Sequence, residues 1–368
     1  MSHLPPPIRR MGMDDVIVIG AGYAGLMAAN RLAPHARVRL VDPRTTTVDR
    51  IRLHQLTAGT RAVTRTARPL GRALDRRVVH TRARATRIEP GVVHLADGGQ
   101  VRAGHILLAH GRAAARPGSM DTLEGALDLR GRLESAAPGT TVAVVGAGLT
   151  GLELATELAE SRPQLRVRLV AREPVGGGLL PAAAAHVRRV LDGLGVQVVD
   201  GPMGSDIVVD QTGLRPEPLG EASGLALDAT GRIRTDRYLR VLGADGDPVP
   251  GVFGAGDAIA VDGLPWLREG CASATPLGAS AADRIRAELS GRALRLVNVG
   301  FLFRCISLGR REAVVQFVGR DDRLANWWLG GRAAVLMKEA ISTYAGLAPF
   351  TMGRMYFWPG APRGTVTA

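Results

Sequence analysis

The sequence predicts an α/β protein: two Rossmann-like units on parallel sheets, the second inserted into the first, plus a small α+β C-terminal segment. Three observations predict it. Residues 16–42 read VIVIGAGYAGLMAANRLAPHARVRLVD, and residues 142–171 read VAVVGAGLTGLELATELAESRPQLRVRLVA. Each runs β-branched strand, GxGxxG turn, amphipathic helix and second strand, and RVRLV recurs in both second strands. A strand–helix–strand order of this kind demands a parallel sheet. Third, GVFGAGDA at 251–258 reads as a buried strand ending at a glycine turn, which returns the chain to the first unit.

The elements follow in order. Residues 1–12, Pro-rich and without an apolar run, read as a disordered tail. The first unit takes 13–112 and resumes over 245–298; the insertion occupies 113–244. Within the first part, Val78–Val79, Val92–Leu95 and Val101–Leu108 read as strands, with a turn at Asp97-Gly98-Gly99. In the insertion, Ile207–Asp210 is a strand closed by Thr212-Gly213. Residues 275–289 are Ala-rich and helical. From Val299 the segment 299–368 alternates strand patterns, then a helical run to Tyr344, then an irregular Pro, Gly and aromatic tail.

Composition narrows the class. The chain has 368 residues and a net charge of +13, almost all from arginine, with Lys338 the only lysine. The arginines are scattered and aromatics reach only 4%, which argues against nucleic-acid binding. Cys271 and Cys305 lie far apart without a CxxC, so neither a local dithiol centre nor a metal knuckle is expected. No membrane-spanning run is present, and a cytoplasmic protein is expected, with at most a peripheral membrane contact through Trp327, Trp328, Phe350, Tyr356, Phe357 and Trp358. Packing in the core or a homodimer is the favoured use of these aromatics.

The turns carry the chemistry. In Gly20-Ala21-Gly22-Tyr23-Ala24-Gly25 the first Gly makes the tight turn, the second admits a pyrophosphate, and the third lets helix pack on strand. The helix start at Tyr23 and Ala24 then offers free N–H groups to phosphates. Asp42, at the end of the second strand, is placed to accept from ribose hydroxyls, with Arg44 beside it. Gly146, Gly148 and Gly151 repeat the turn. There Ala171 replaces the acid and Arg172 follows, a pattern suited to the 2′-phosphate of NADPH; the competing reading has Glu173 take the ribose of NADH.

With these strings in place, the sequence resembles the FAD-dependent pyridine nucleotide oxidoreductases, nearest the type II NADH dehydrogenase-like branch. The resemblance rests on GAGYAGLMAA, ILLAHG, GAGLTGLELATELA, DIVVDQTGLRP and GVFGAGDA, in family order over about residues 14–290. It implies an FAD domain formed by 13–112 and 245–298, and an NAD(P)H domain inserted between them. It implies that Gly20, Gly22, Tyr23, Ala24, Gly25, Asp42, Arg44, Gly111, Gly256 and Asp257 hold FAD. Gly146, Gly148, Gly151, Arg172 and Gly213 would then hold NADPH or NADH. Asp257 is expected to accept from a ribityl hydroxyl. His54 and Gln55, in the segment RIRLHQLTAG at 50–59 that corresponds to a loop the family lays beside the isoalloxazine, and Glu153 are the candidate catalytic residues. His110 stands where the family usually has Thr, and Arg52 is a candidate to stabilise anionic reduced flavin.

Two departures matter. Without CxxC, disulfide reduction is excluded, and the stretch Glu269–Pro276 lacks the Gln of the quinone-reducing branch. The expected activity is hydride transfer from NAD(P)H to FAD N5 and on to a quinone or small organic acceptor. The alternatives are an FAD-dependent oxidase or dehydrogenase of a specialised metabolite, and a nucleotide- or redox-sensing binding protein. No metal is expected.

Overall fold

The computed structural model describes residues 14–114, 118–351 and 357–362; the expected tail 1–12 and Tyr356 fall outside them. The strand Asp14–Ile19 is buried over its last four residues and pairs in parallel with Val38–Val41 on one side and Gln100–Leu108 on the other. The helix Tyr23–Leu32 joins the first two and buries Leu26, Met27 and Leu32. Burial on both sheet faces explains the continuous apolar runs VIVI and ILL. The sheet extends as Val79–Thr81, Val38–Val41, Asp14–Ile19, Gln100–Leu108, Pro248–Gly254, Arg240–Leu242, Ile233–Thr235 and Ile259–Val261, with the hairpin Ala85–Glu89 and Val92–Leu95 attached to Gln100–Leu108.

The second sheet is wholly parallel, in the order Gln197–Val199, Arg166–Val170, Thr141–Val145 and Ile207–Asp210. The two sheets are linked by an antiparallel pair, Arg112–Ala114 with Leu214–Pro216, which carries the chain out and back. The return therefore comes at Leu214–Pro216. Residues 233–242, which the sequence reading assigned to the insertion ending at 244, are hydrogen-bonded into the first sheet instead. These strands are three residues long and are set by a tight turn. Asp236 accepts from the backbone N–H groups of Tyr238 and Arg240, and Leu239 takes φ +65°. So short a segment has no readable periodicity.

The C-terminal segment is a three-stranded antiparallel sheet, Phe303–Leu308, Glu312–Val318 and Leu324–Gly330, backed by the helix Gly331–Leu347. Ile306, Leu308 and Val314 join the core of the second unit. So do Leu53 and Leu56 of the short helix Leu53–Ala58, although that helix arises from the first unit. The residues expected to form a loop at 50–59 are thus a buried helix wedged against the second unit.

Both glycine turns have one geometry. Gly20 and Gly146 take φ +104° and +109°, a region L side chains avoid. A Cβ on Gly25 would lie 1.8 Å from the Gly20 carbonyl oxygen, and one on Gly151 would lie 1.8 Å from that of Gly146. Gly25→Ala must therefore push helix from strand, and is expected to cost about 3 kcal/mol or more. The control is Gly131→Ala, at an exposed position within the helix Leu123–Glu134 with nothing within 4 Å of the added Cβ, which is expected to stabilise by roughly 0.5–1 kcal/mol. Chemical denaturation of the two variants checks both signs.

Candidate functional site

The space in front of each turn is open. A Cβ built on Gly22 or Gly148 would meet nothing within 4 Å, whereas their partner glycines are tightly packed. The middle glycine of each turn therefore presents bare backbone to an open cradle, and each cradle lies at the start of a helix, Tyr23–Leu32 or Leu149–Ser161. Backbone N–H groups there are free to bind an anion.

Asp42 is 2% exposed. Its carboxylate accepts from the Ala21 N–H at 2.7 Å and from Arg44 through the backbone N–H at 2.8 Å, Nε at 2.9 Å and Nη2 at 2.7 Å. Burial opposes its ionisation, but these bonds outweigh that and hold its pKa below the ordinary range. The Arg44 side chain is 42% exposed, so it is free to swing aside for a ribose.

Asp257 follows Gly256, which takes φ +76°, and accepts from the Gly270 N–H at 2.8 Å. Burial pushes its pKa up. Gly111 and Gly213 take φ +71° and +118° beside the crossover pair, and neither has a neighbour in the direction of a Cβ. Arg172 and Glu173 are both exposed.

The candidate catalytic residues meet at a buried cluster. Glu153 lies on the second turn of its helix and is 7% exposed. It is ion-paired with Lys338 at 2.8 Å, accepts from the Ser307 N–H at 3.0 Å, and faces His54 Nδ1 at 3.7 Å. Burial would raise the Glu153 pKa, but Lys338 and His54 pull it below the ordinary value. Burial would likewise discharge Lys338; the nearby Cys305 and Glu153 outweigh it and raise its pKa. The pair is therefore charged.

His54 is 2% exposed, and burial brings its pKa down to about 4 despite Glu153. It is neutral near pH 7, and its Nε2 is buried without a partner. Gln55 sits beside Arg52 and Arg310; with its amide oxygen toward them it accepts at 3.1 Å and 2.6 Å.

Arg52, assigned to the flavin, is 2% exposed and paired with Glu339 at 2.8 Å. Lys338 was missed as a site residue; its only signal was to be the sole lysine of an arginine-rich chain. His110 is half-buried at the end of the strand Gln100–Leu108, with Nδ1 unpartnered and its pKa lowered by burial to about 4.

The aromatic expectations divide. Phe317 stacks on Trp327 with centroids 3.5 Å apart, and Trp358 Nε1 donates to the Gly300 carbonyl, while Phe357 is 78% exposed. Among the described residues no helix is long and apolar enough to cross a membrane.

The arrangement fits two dinucleotides. The two cradles are open where a pyrophosphate would lie, and the unpartnered buried atoms His54 Nε2, His110 Nδ1 and Thr275 Oγ1 are groups that a polar ring system would satisfy.

Comparison with known proteins agrees. Residues 14–205 match the family model described as pyridine nucleotide-disulphide oxidoreductase. An NADH dehydrogenase-like protein of Mycobacterium tuberculosis is 29% identical over 361 residues, spanning 82% of this chain and 87% of its own. The type II NADH:quinone oxidoreductase of the same organism is 27% identical, spanning 75% and 73%. Among solved structures, the sulfide:quinone oxidoreductase of Aquifex aeolicus superposes with a TM-score of 0.75 at 16% identity, covering 92% of each chain. That last likeness is one of fold.

The neutral His54 sets a pH dependence. Its folded pKa of about 4 lies below the unfolded value of 6.5, so the unfolded chain binds the extra proton as pH falls through that window. Stability is therefore expected to drop between pH 6.5 and 4, by on the order of 3 kcal/mol from this group. Denaturant midpoints across that range should fall less steeply in His54→Asn than in the parent chain.

Proposed function

The chain belongs to the pyridine nucleotide-disulphide oxidoreductase family, near its type II NADH dehydrogenase branch, and from that premise we propose that it oxidises NADPH through FAD and reduces a quinone-type or related small organic acceptor. As an enzyme it is an FAD-dependent NAD(P)H oxidoreductase; the nucleotide preference, the acceptor and the residue roles are the proposal. The observation that carries it is the duplicated turn, with the same 1.8 Å glycine contact and the same open cradle in both copies. The exchange balances as NAD(P)H + H⁺ + acceptor → NAD(P)⁺ + reduced acceptor, the hydride pair of electrons ending on the acceptor.

When bound, FAD supplies a site that takes a hydride and passes its electrons on. In the proposal, the N–H groups after Gly22 bind its pyrophosphate, Asp42 accepts from its adenosine ribose once Arg44 moves, and Asp257 accepts from its ribityl chain. The turn of Gly146, Gly148 and Gly151 binds the second pyrophosphate. Gly111 and Gly213 leave the path between the two units clear of side chains.

Glu153 and Lys338 act as a pair. The Lys338 ammonium offers positive charge in a water-poor wall, and Glu153 holds it there. His54, neutral at working pH, presents Nε2 as a hydrogen-bonding group, with Gln55 held behind it by Arg52 and Arg310. The first turn's strand ends at an acid, Asp42, and the second turn's strand at Ala171 followed by the exposed Arg172. This contrast supports a 2′-phosphate at the second site.

Anaerobic mixing of the FAD-loaded protein with NADPH and with NADH tests the reading. Bleaching of the flavin by both is expected, faster with NADPH. Arg172→Ala should cost NADPH about tenfold in apparent affinity, as one charge-assisted pair does, and leave NADH unchanged. No bleaching by either nucleotide would reject the activity; equal response to both would reject the NADPH assignment alone.

A further inference from the structure

Tyr23, at the first turn, also lines a cleft of about 90 Å³ between its own helix, the strand end at Thr47–Asp49 and the C-terminal end of the helix Gly331–Leu347. Four arginines line it: Arg52, Arg61, Arg65 and Arg68. Their charges are unevenly met. Arg52 is neutralised by Glu339 at 2.8 Å. Arg61, Arg65 and Arg68 have no carboxylate within ion-pair distance among the described residues.

The one acid in the lining, Asp49, accepts from the Tyr23 hydroxyl at 2.5 Å and sets a single carboxylate against Arg61, Arg65 and Arg68. The cleft is thus net positive.

The arginines are also positioned. Arg61 Nη2 donates to the Arg65 carbonyl at 3.1 Å, while Arg61 Nε is buried with no partner. The Arg68 guanidinium lies over the Phe350 ring, 4.7 Å from its centroid. Arg61 Nε is a buried donor without a partner, beside the exposed guanidinium groups of Arg65 and Arg68, and an anion would satisfy the first while neutralising the others. A guanidinium matches carboxylate, sulfonate and phosphate oxygens by geometry as well as charge. Leu26, Val48, Leu347 and Phe350 give the same cleft apolar wall. A cleft of about 90 Å³ is room for the charged group, with the rest of the ligand outside. Through Arg52 and Tyr23 the cleft adjoins both the Glu339 pair and the first glycine turn.

We propose that the acceptor reduced by this enzyme is itself an anion, and that the cleft holds its carboxylate, sulfonate or phosphate group between Arg61, Arg65 and Arg68. This rests on the reading that the protein reduces a small acceptor, and it narrows that acceptor from a neutral ring to an acidic one.

The test compares two acceptors of one ring system, menadione, which is neutral, and 1,4-naphthoquinone-2-sulfonate, at saturating nucleotide, in the FAD-loaded parent and in Arg65→Gln/Arg68→Gln. Both arginines are exposed, and the melting temperature and flavin content of the variant verify folding. The ratio of kcat/KM for sulfonate over menadione is expected to fall about tenfold or more in the variant, the loss of one or two charge-assisted bonds. The menadione value and the rate of flavin reduction by nucleotide should stay as they were. An unchanged ratio overturns the inference.

If neither acceptor turns over, the activity has failed rather than the cleft. Calorimetric titration of the oxidised protein with the sulfonate then decides: a Kd tenfold weaker in the variant supports the inference, and an equal Kd overturns it. Binding to anionic phospholipid vesicles that is lost in the variant, with the acceptor ratio unmoved, would assign the arginines to a membrane surface and also overturn it.

Discussion

The third glycine of each turn has no room for one more carbon, and the rest of the structure depends on that contact. A Cβ there would fall 1.8 Å from the carbonyl oxygen of the turn's first glycine, so the helix start is held directly over the strand end, and the middle glycine is left facing open space. Because the constraint is steric and local, it appears twice, with the first glycine of each turn at nearly the same φ, +104° and +109°. Each copy creates a positive-ended helix start aimed at an open cradle. The difference that bears on the nucleotide lies at the end of the second strand: Asp42 with its Arg44 partner in one copy, Ala171 and Arg172 in the other.

Where the three parts of the chain meet, it buries charge. Glu153 comes from the second unit, His54 from the first, and Lys338 from the C-terminal helix, so one cluster ties all three parts together. A buried ion pair is seldom a net source of stability, since desolvation consumes most of the Coulombic gain. Its presence beside an unpartnered imidazole nitrogen makes sense as fixed charge for a reaction. The short helix Leu53–Ala58 is the device that brings His54 there. Its Leu53 and Leu56 are buried in the second unit's core although the helix follows directly from the first.

What the sequence reveals is what local rules determine. The glycine turns, their flanking strands and the family to which they point are legible because each lies within a run of about thirty residues with a strong pattern. The short strands Ile233–Thr235 and Arg240–Leu242 are not, since an Asp236 turn and a positive φ at Leu239 replace any alternation. RIRLHQLTAG reads as a loop because its two leucines are too few to announce a helix; burial by partners on both sides decides it. Glu153 stands out in sequence through the family resemblance, as an acid just past the second turn, and not through its partners. Lys338 does not stand out by role at all, because a pairing across distant segments leaves no trace in spacing.

The central claim is that the two cradles bring a nicotinamide and a flavin face to face, so that hydride passes directly between them. Stopped-flow flavin reduction with nucleotide deuterated at one or the other face of nicotinamide C4 tests this most directly. The account predicts a slowed reduction, as a primary isotope effect, for deuterium on one face and none for the other, since a fixed geometry presents a single face. An equal effect from both faces, or flavin reduction insensitive to either label, would contradict it.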